Sequence, residues 1–297
     1  MNANAQIEQS MANAIEHTLN ATLNQVSTLD APPLLASAMR YAVFPGGARI
    51  RPRLSVAVAC ACGQDDPRVA CAAAAAIELL HCASLVHDDL PCFDDASTRR
   101  GKASVHRAFG ERLAVLTGDA LIVLAFDSLA RGASSRPDRL AALIGIVARS
   151  VGMPHGIVAG QSWECEPLVS LSKYQQAKTG ALFAAATMAG AAAAGHRAEP
   201  WGLLGERLGE AYQVADDIRD VAGEAKDLGK PVGQDVALGR PSAARELGLH
   251  GAIARLDFLV AGALASIPDC PGADELRALI RQEADGLLPK GLARKVA

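Results

Sequence analysis

RVACAAAAAIELLHCASLVHDDLPCFDD, residues 68–95, runs an almost unbroken apolar segment into four carboxylates. Glu78, His81, Leu85 and Asp88 recur at spacings of three, four and three, so they share one helical face. The other faces are almost wholly Ala, Ile, Leu and Val, the pattern of a helix surrounded by other helices. Such a helix rarely ends in Asp88, Asp89, Asp94 and Asp95 for solubility alone. On an unbroken helix Asp94 would point away from Asp88. Pro91 breaks the helix between them, and a bend there swings Asp94 back beside Asp88.

The remaining sequence is written in the same helical idiom. Half of the 297 residues are hydrophobic and only 4% are aromatic, with alanine runs at 72–76 and 184–194. Small residues let helices approach closely and favour helix formation. The expectation is an all-α, single-domain bundle of ten or more helices spanning residues 1–297. A formal charge of −3 supplies no field for nucleic acid or an anionic membrane. The seven cysteines form no CxxC pair and suit a reducing compartment. The first residues lack the pattern of a secretory signal, and Leu182–Gly195 is too short and too rich in Ala and Gly to span a bilayer. A cytoplasmic protein without integral membrane contact is expected.

Helices are predicted from about 5 to 29, 34 to 43, 53 to 62, 68 to 90, 113 to 129, 138 to 151, 171 to 195 and 201 to 221, with two or three more closing the chain. A glycine turn, Phe44–Pro52, carries Arg49 and Arg51, and a polar basic loop covers Ser97–Lys102. The segment 223–241 reads as a long loop.

Gln213, Asp216, Asp217 and Asp220 fall at i, i+3, i+4 and i+7, one stripe of a second helix. Like charges so placed repel, and hard divalent cations offset that repulsion. Two acid clusters on helices are therefore expected to face each other across a cavity and hold divalent cations between them. Magnesium keeps waters and bridges a few carboxylates to phosphates, so a diphosphate is the expected ligand. Its remaining charge calls for cations, and Arg51, Arg99, Arg100, Lys178, Lys230 and Arg240 are the candidates.

These pieces, in this order, resemble the trans-isoprenyl diphosphate synthases. The resemblance rests on Gly46-Gly47-x-Arg49-x-Arg51-Pro52, on Asp88-Asp89-x4-Asp94 with Arg99-Arg100-Gly101, and on Lys178-Thr179-Gly180. Gln213-x-x-Asp216-Asp217-x-x-Asp220 and Gly229-Lys230 complete it. It covers about residues 35–245 and implies the isoprenoid synthase fold around a central active-site cavity, a homodimer, and three magnesium ions, with manganese able to substitute. It implies that Asp88, Asp94 and Asp216 are metal ligands, and that Asp89, Asp217 and Asp220 are ligands or their supports. Arg99, Lys178, Gln213 and Lys230, with Thr179 nearby, are implied to meet an allylic diphosphate. Arg51, His81 and Arg100 are implied to meet isopentenyl diphosphate. Three departures stand out: Ala48 replaces a lysine of the family's pattern, Ala96 and Ser97 replace acids, and Arg240 with Pro241-Ser242 replaces Lys and Thr-Tyr-Pro.

At about 1.5 Å per residue, Ala83 and Ser84 lie roughly 6–8 Å below Asp88 on the same helix. Bulky residues there would stop a growing tail early, and small ones leave room. The run around Asp88 and around Lys178 resembles geranylgeranyl diphosphate synthases of bacterial carotenoid and bacteriochlorophyll pathways. Geranylgeranyl diphosphate is the expected product and farnesyl diphosphate the runner-up. A class I terpene cyclase fits the second acid motif poorly. A non-catalytic partner subunit is recommended only by Ala48.

Overall fold

The computed structural model describes residues 3–167, 174, 176–222 and 243–287, with only the backbone described at 3–8, 220 and 222. Among them are thirteen α-helices: α1 (Ala3–Val26), α2 (Pro33–Val43), α3 (Ile50–Ala61), α4 (Pro67–Asp88), α5 (Val105–Phe109), α6 (Glu111–Gly132), α7 (Pro137–Val151), α8 (Ile157–Ser162), α9 (Ala181–Ala193), α10 (Gly202–Ala222), α11 (Ala243–Glu246), α12 (Gly248–Ala265) and α13 (Ala273–Asp285). The all-α expectation holds. One departure lies in the basic loop, where β1 (Thr98–Arg99) and β2 (Lys102–Ala103) form an antiparallel hairpin. Strands of two residues have no alternation to read.

The described residues divide into two compact units, 1–148 with 189–198, and 149–188 with 199–297. In the first, α4 is the central element. Asp66 caps it by accepting from the Arg68 amide at 3.1 Å, and Pro67 occupies its first turn. Ala72–Ala76 are wholly or almost wholly buried. α4 packs most extensively on α6, then on α3. A Cβ on Gly132 would lie 2.1 Å from that of Ala72, and one on Gly118 would lie 2.0 Å from the His87 ring. The two helices therefore touch in antiparallel sense from Ala72 to His87, roughly 22 Å at 1.5 Å per residue. Ile15, Leu19 and Leu23 of α1 add a fully buried stripe. Arg139 of α7 ties the ends of the unit together, donating to Asp65 at 2.6 and 3.0 Å and to the Ala193 carbonyl at 2.7 Å.

In the second unit, Ala211, Val214, Ala215 and Ile218 of α10 pack with Ala252, Ile253, Leu256 and Leu259 of α12. The segment predicted as one helix over 171–195 is not uniform. Gln176–Gly180 is a π turn before α9 begins, a local widening that often accompanies functional sites.

Helices α4, α6 and α12 are long and apolar enough to cross a membrane by length and composition. In α4 that apolarity serves the interior, for 78% of the matching window is buried.

Gly190 of α9 meets the Ser55 carbonyl of α3, to which an added Cβ would approach within 2.3 Å. Alanine normally favours a helix over glycine by about 1 kcal/mol. Here the clash reverses the sign, and Gly190→Ala is expected to destabilise by about 1–3 kcal/mol. Thermal unfolding checks this, and an unchanged or raised midpoint would contradict the close approach.

Candidate active site

The chain folds back at the end of α4. The Asp94 amide donates to the Asp88 carbonyl at 3.0 Å, Ala96 to Asp89 at 3.2 Å, and Phe93 and Asp95 to Leu90 at 2.9 and 3.1 Å. The turn beginning at Pro91 thus satisfies the helix's terminal carbonyls and returns Asp94 to Asp88, as the proline suggests.

The four carboxylates then divide. Asp89, 2% exposed, accepts from Arg99 at 2.9 and 3.3 Å through Nε, and again through Nη2. Burial pushes its carboxyl up, with Arg99 opposing. Asp95, at φ +44°, turns away to Arg107 at 3.0 Å and to His106 at 3.6 Å. Asp88 and Asp94 remain half-buried at the turn. Both contribute to raising the Arg99 pKa against the opposing effect of burial, though less than Asp89 does.

The hairpin carrying Arg99 and Arg100 is fastened to the end of α2. Lys102 donates to the carbonyls of Tyr41 and Phe44, the latter at 2.7 Å, and the Tyr41 hydroxyl donates to Ala103 at 2.8 Å. A cation is favoured at a helix C-terminus. The pairing of Thr98 with Ala103 and Arg99 with Lys102 leaves Arg100-Gly101 as the two-residue turn, at φ +53° and +76°. Glycine suits that turn. An arginine there costs about 1–2 kcal/mol.

Around His81 the structure gathers Arg51, Arg100, Arg99 and Arg49, which act on the imidazole in that order after burial itself and hold its pKa well below the ordinary value. Ala48, in the preceding loop, is exposed. Ala83 is buried and Ser84 half-buried, its hydroxyl donating to the His81 carbonyl at 2.9 Å.

In the second unit, the π turn that holds Lys178 is wedged by bare glycines. Cβ atoms on Gly160 and Gly209 would lie 2.6 Å from the Lys178 amide nitrogen and 3.0 Å from the Gly180 Cα. Lys178 and Tyr174 both reach the same oxygen of Glu164, at 2.6 and 2.5 Å. Thr179 donates to Gln213 at 3.4 Å, and Gln213 donates to Asp217 at 3.2 Å. Asp217, 3% exposed, accepts from the Ala243 amide at 2.8 Å, so it caps α11. Asp216 is half-buried and accepts from Arg219 at 2.7 Å. For Asp220 only the backbone, within α10, is described, and Lys230 and Arg240 lie outside the described residues.

The polyprenyl synthetase family model matches residues 32–259. Geranylgeranyl diphosphate synthase of Cereibacter sphaeroides is 55% identical over 282 residues, covering 95% of this chain and 98% of that protein. The chain belongs to the polyprenyl synthetase family. Geranylgeranyl diphosphate synthase of Rhodobacter capsulatus is 51% identical over 94% of this chain and 96% of its own. A geranyltransferase from Helicobacter pylori, solved with magnesium and isoprenyl diphosphate, shares the fold at a TM-score of 0.80 and 29% identity, over 95% of this chain and 98% of that one.

The donors at the end of α4 fit a hard divalent cation: two partly accessible carboxylates, with no soft ligand required. Among the described residues no group of three His, Cys, Asp or Glu forms a metal cage, and magnesium, which keeps several waters, needs none. Sequence reasoning expects Asp89 and Asp217 each as ligand or support, and in the structure both are buried and hydrogen-bonded. It gave no role to Glu78, Arg49, Glu164 or Arg219. Glu78 had a readable signal, as an acid within an apolar helix on the face of His81 and Asp88.

His81 carries a pH prediction. Its folded pKa lies below the unfolded value of about 6.5, so the unfolded chain takes up the proton first. Its contribution is complete above that pH and is lost as pH falls through it, by up to about 1.4 kcal/mol per unit. Denaturant unfolding at pH 7.5 and 5.5 is expected to show a smaller pH dependence for His81→Gln than for the wild type. Equal dependence in both would contradict a neutral imidazole among these arginines.

Proposed function

We propose that this enzyme is a short-chain trans-prenyltransferase that condenses isopentenyl diphosphate with dimethylallyl, geranyl and farnesyl diphosphates to give geranylgeranyl diphosphate. One observation carries the reading. At the end of α4 the backbone returns Asp94 to Asp88, and the neighbouring Asp89 holds Arg99 of the basic hairpin. A seat for hard cations next to an anion site suits a reaction between two diphosphates. The names of the relatives from Cereibacter and Rhodobacter support the twenty-carbon product.

Magnesium, three ions in this proposal with manganese able to substitute, would supply the positive charge that makes the allylic diphosphate a leaving group. Asp88, Asp94 and Asp216 would hold the ions, with Asp220 in the same stripe and Asp89 and Asp217 in support. Arg99, Lys178, Thr179 and Gln213, together with Lys230 and Arg240, would orient the allylic diphosphate. Arg51, His81 and Arg100 would hold isopentenyl diphosphate, the neutral imidazole as a hydrogen-bond partner. The allylic C–O bond breaks with its electrons going to the diphosphate oxygen. The C4 alkene carbon of isopentenyl diphosphate then bonds to the allylic carbon, and a proton leaves to a diphosphate oxygen. Positioning and fixed charge supply the rate.

The chemistry asks the acids of both helices to serve one substrate, so we read residues 1–297 as one catalytic domain. A cytoplasmic homodimer without nucleic acid or integral membrane contact completes the proposal. Val115, Leu116 and Val123, exposed on α6, offer apolar surface for a second copy.

Purified protein with magnesium, isopentenyl diphosphate and each allylic primer is expected to release a twenty-carbon alcohol after phosphatase treatment. Asp88→Asn or Asp94→Asn is expected to lower kcat by at least about 10²–10³-fold, and Ala83→Tyr to shorten the product. A fifteen-carbon product alone would select the farnesyl reading. No turnover with any primer would favour a partner subunit, and an unchanged product distribution for Ala83→Tyr would remove α4 from the tail's path.

A further inference from the structure

Arg49 and Arg100 sit on separate loops, both at positive φ, and both reach one buried carboxylate, Glu78. Glu78 is 2% exposed in the middle of α4, where a carboxylate needs a partner to remain charged. Arg49 supplies it. Its Nη1 donates to Glu78 at 2.5 Å, its Nε to Glu16 at 2.7 Å and its Nη2 to the Val43 carbonyl at 2.9 Å. With all three nitrogens engaged, Arg49 belongs to the interior. Arg100 is held differently. Its Nη2 stands 3.8 Å from the same Glu78 oxygen, and its side chain stays partly accessible.

The glycine turn is shaped to this arrangement. A Cβ on Gly46 would fall 2.2 Å from the Arg49 Cζ, and one on Gly47 would fall 3.1 Å from the Arg100 Nε. Both glycines therefore lie bare against a guanidinium. His81 follows Glu78 by one turn of the same helix and is acted on by both arginines.

We propose that Glu78 is a positioning residue. Locked by Arg49, it fixes the direction of Arg100 and so shapes the site for isopentenyl diphosphate. The proposal rests on the reading that this diphosphate binds at Arg51, His81 and Arg100. It differs in sign from simple neutralisation. If Glu78 only cancelled positive charge, removing its charge would tighten anion binding. If it holds Arg100 in place, the same change frees a long side chain that must be ordered again at each binding event, and binding weakens.

Steady-state kinetics of the whole enzyme decides between the two, with isopentenyl diphosphate varied at saturating farnesyl diphosphate and then the reverse. Glu78→Gln is expected to raise the KM for isopentenyl diphosphate about tenfold or more, leaving kcat and the allylic KM within about twofold. Glu78→Asp, which keeps the charge, is expected to raise it less. An unchanged or lowered KM for isopentenyl diphosphate overturns the proposal, as does an equal rise in both KM values. If circular dichroism shows Glu78→Gln unfolded, Glu78→Asp carries the test: a selective rise supports the proposal and no rise overturns it. Arg51→Met separates the underlying reading. If its KM for isopentenyl diphosphate is unchanged, the assignment of the site fails; if it rises while Glu78→Gln is silent, only the positioning role fails.

Discussion

Carboxylates crowded at the end of an apolar helix repel one another, and each must find a counter-charge, a hydrogen-bond donor or a cation. The end of α4 meets that constraint by dividing its acids. Asp89 is buried against Arg99, and Asp95 turns outward to Arg107 and His106. Asp88 and Asp94, drawn together by the backbone bond between them, stay at the turn. The second helix shows a similar division, with Asp217 buried as the cap of α11 and Asp216 half-buried beside Arg219. In each case a buried, hydrogen-bonded acid stands next in sequence to a more accessible one suited to a metal.

Arginines are subject to the complementary constraint. A diphosphate site needs several cations close together before the ligand arrives, although they repel. Buried acids make that gathering tolerable: Glu78 serves Arg49 and Arg100, and Asp89 serves Arg99. Part of the cost is met in the backbone, where Arg49 and Arg100 take left-handed conformations. The small residues of α4, α6 and the glycine turn let these elements approach closely enough to hold such geometry.

Much of this was legible in the residues. Periodicity located α4 and its 78–81–85–88 face, and Pro91 foretold the return of Asp94 to Asp88. What stayed hidden depends on partners remote in sequence. Nothing local says that Asp89 will be taken by Arg99, or that Asp217 will cap a helix starting at Ala243. The hairpin was hidden because two-residue strands carry no period, although Gly101 after Arg100 is a turn signal. The π turn at Lys178 depends on the bare faces of Gly160 and Gly209, which no spacing rule reveals.

In the proposed enzyme Asp88 and Asp94 take the metal while Asp89 keeps Arg99 in place. A crystal structure of the enzyme with magnesium and an unreactive allylic thiolodiphosphate tests it directly. The expected result is magnesium on the carboxylates of Asp88 and Asp94, with Asp89 still bound to the Arg99 guanidinium. Asp89 on the metal and Arg99 released would contradict it.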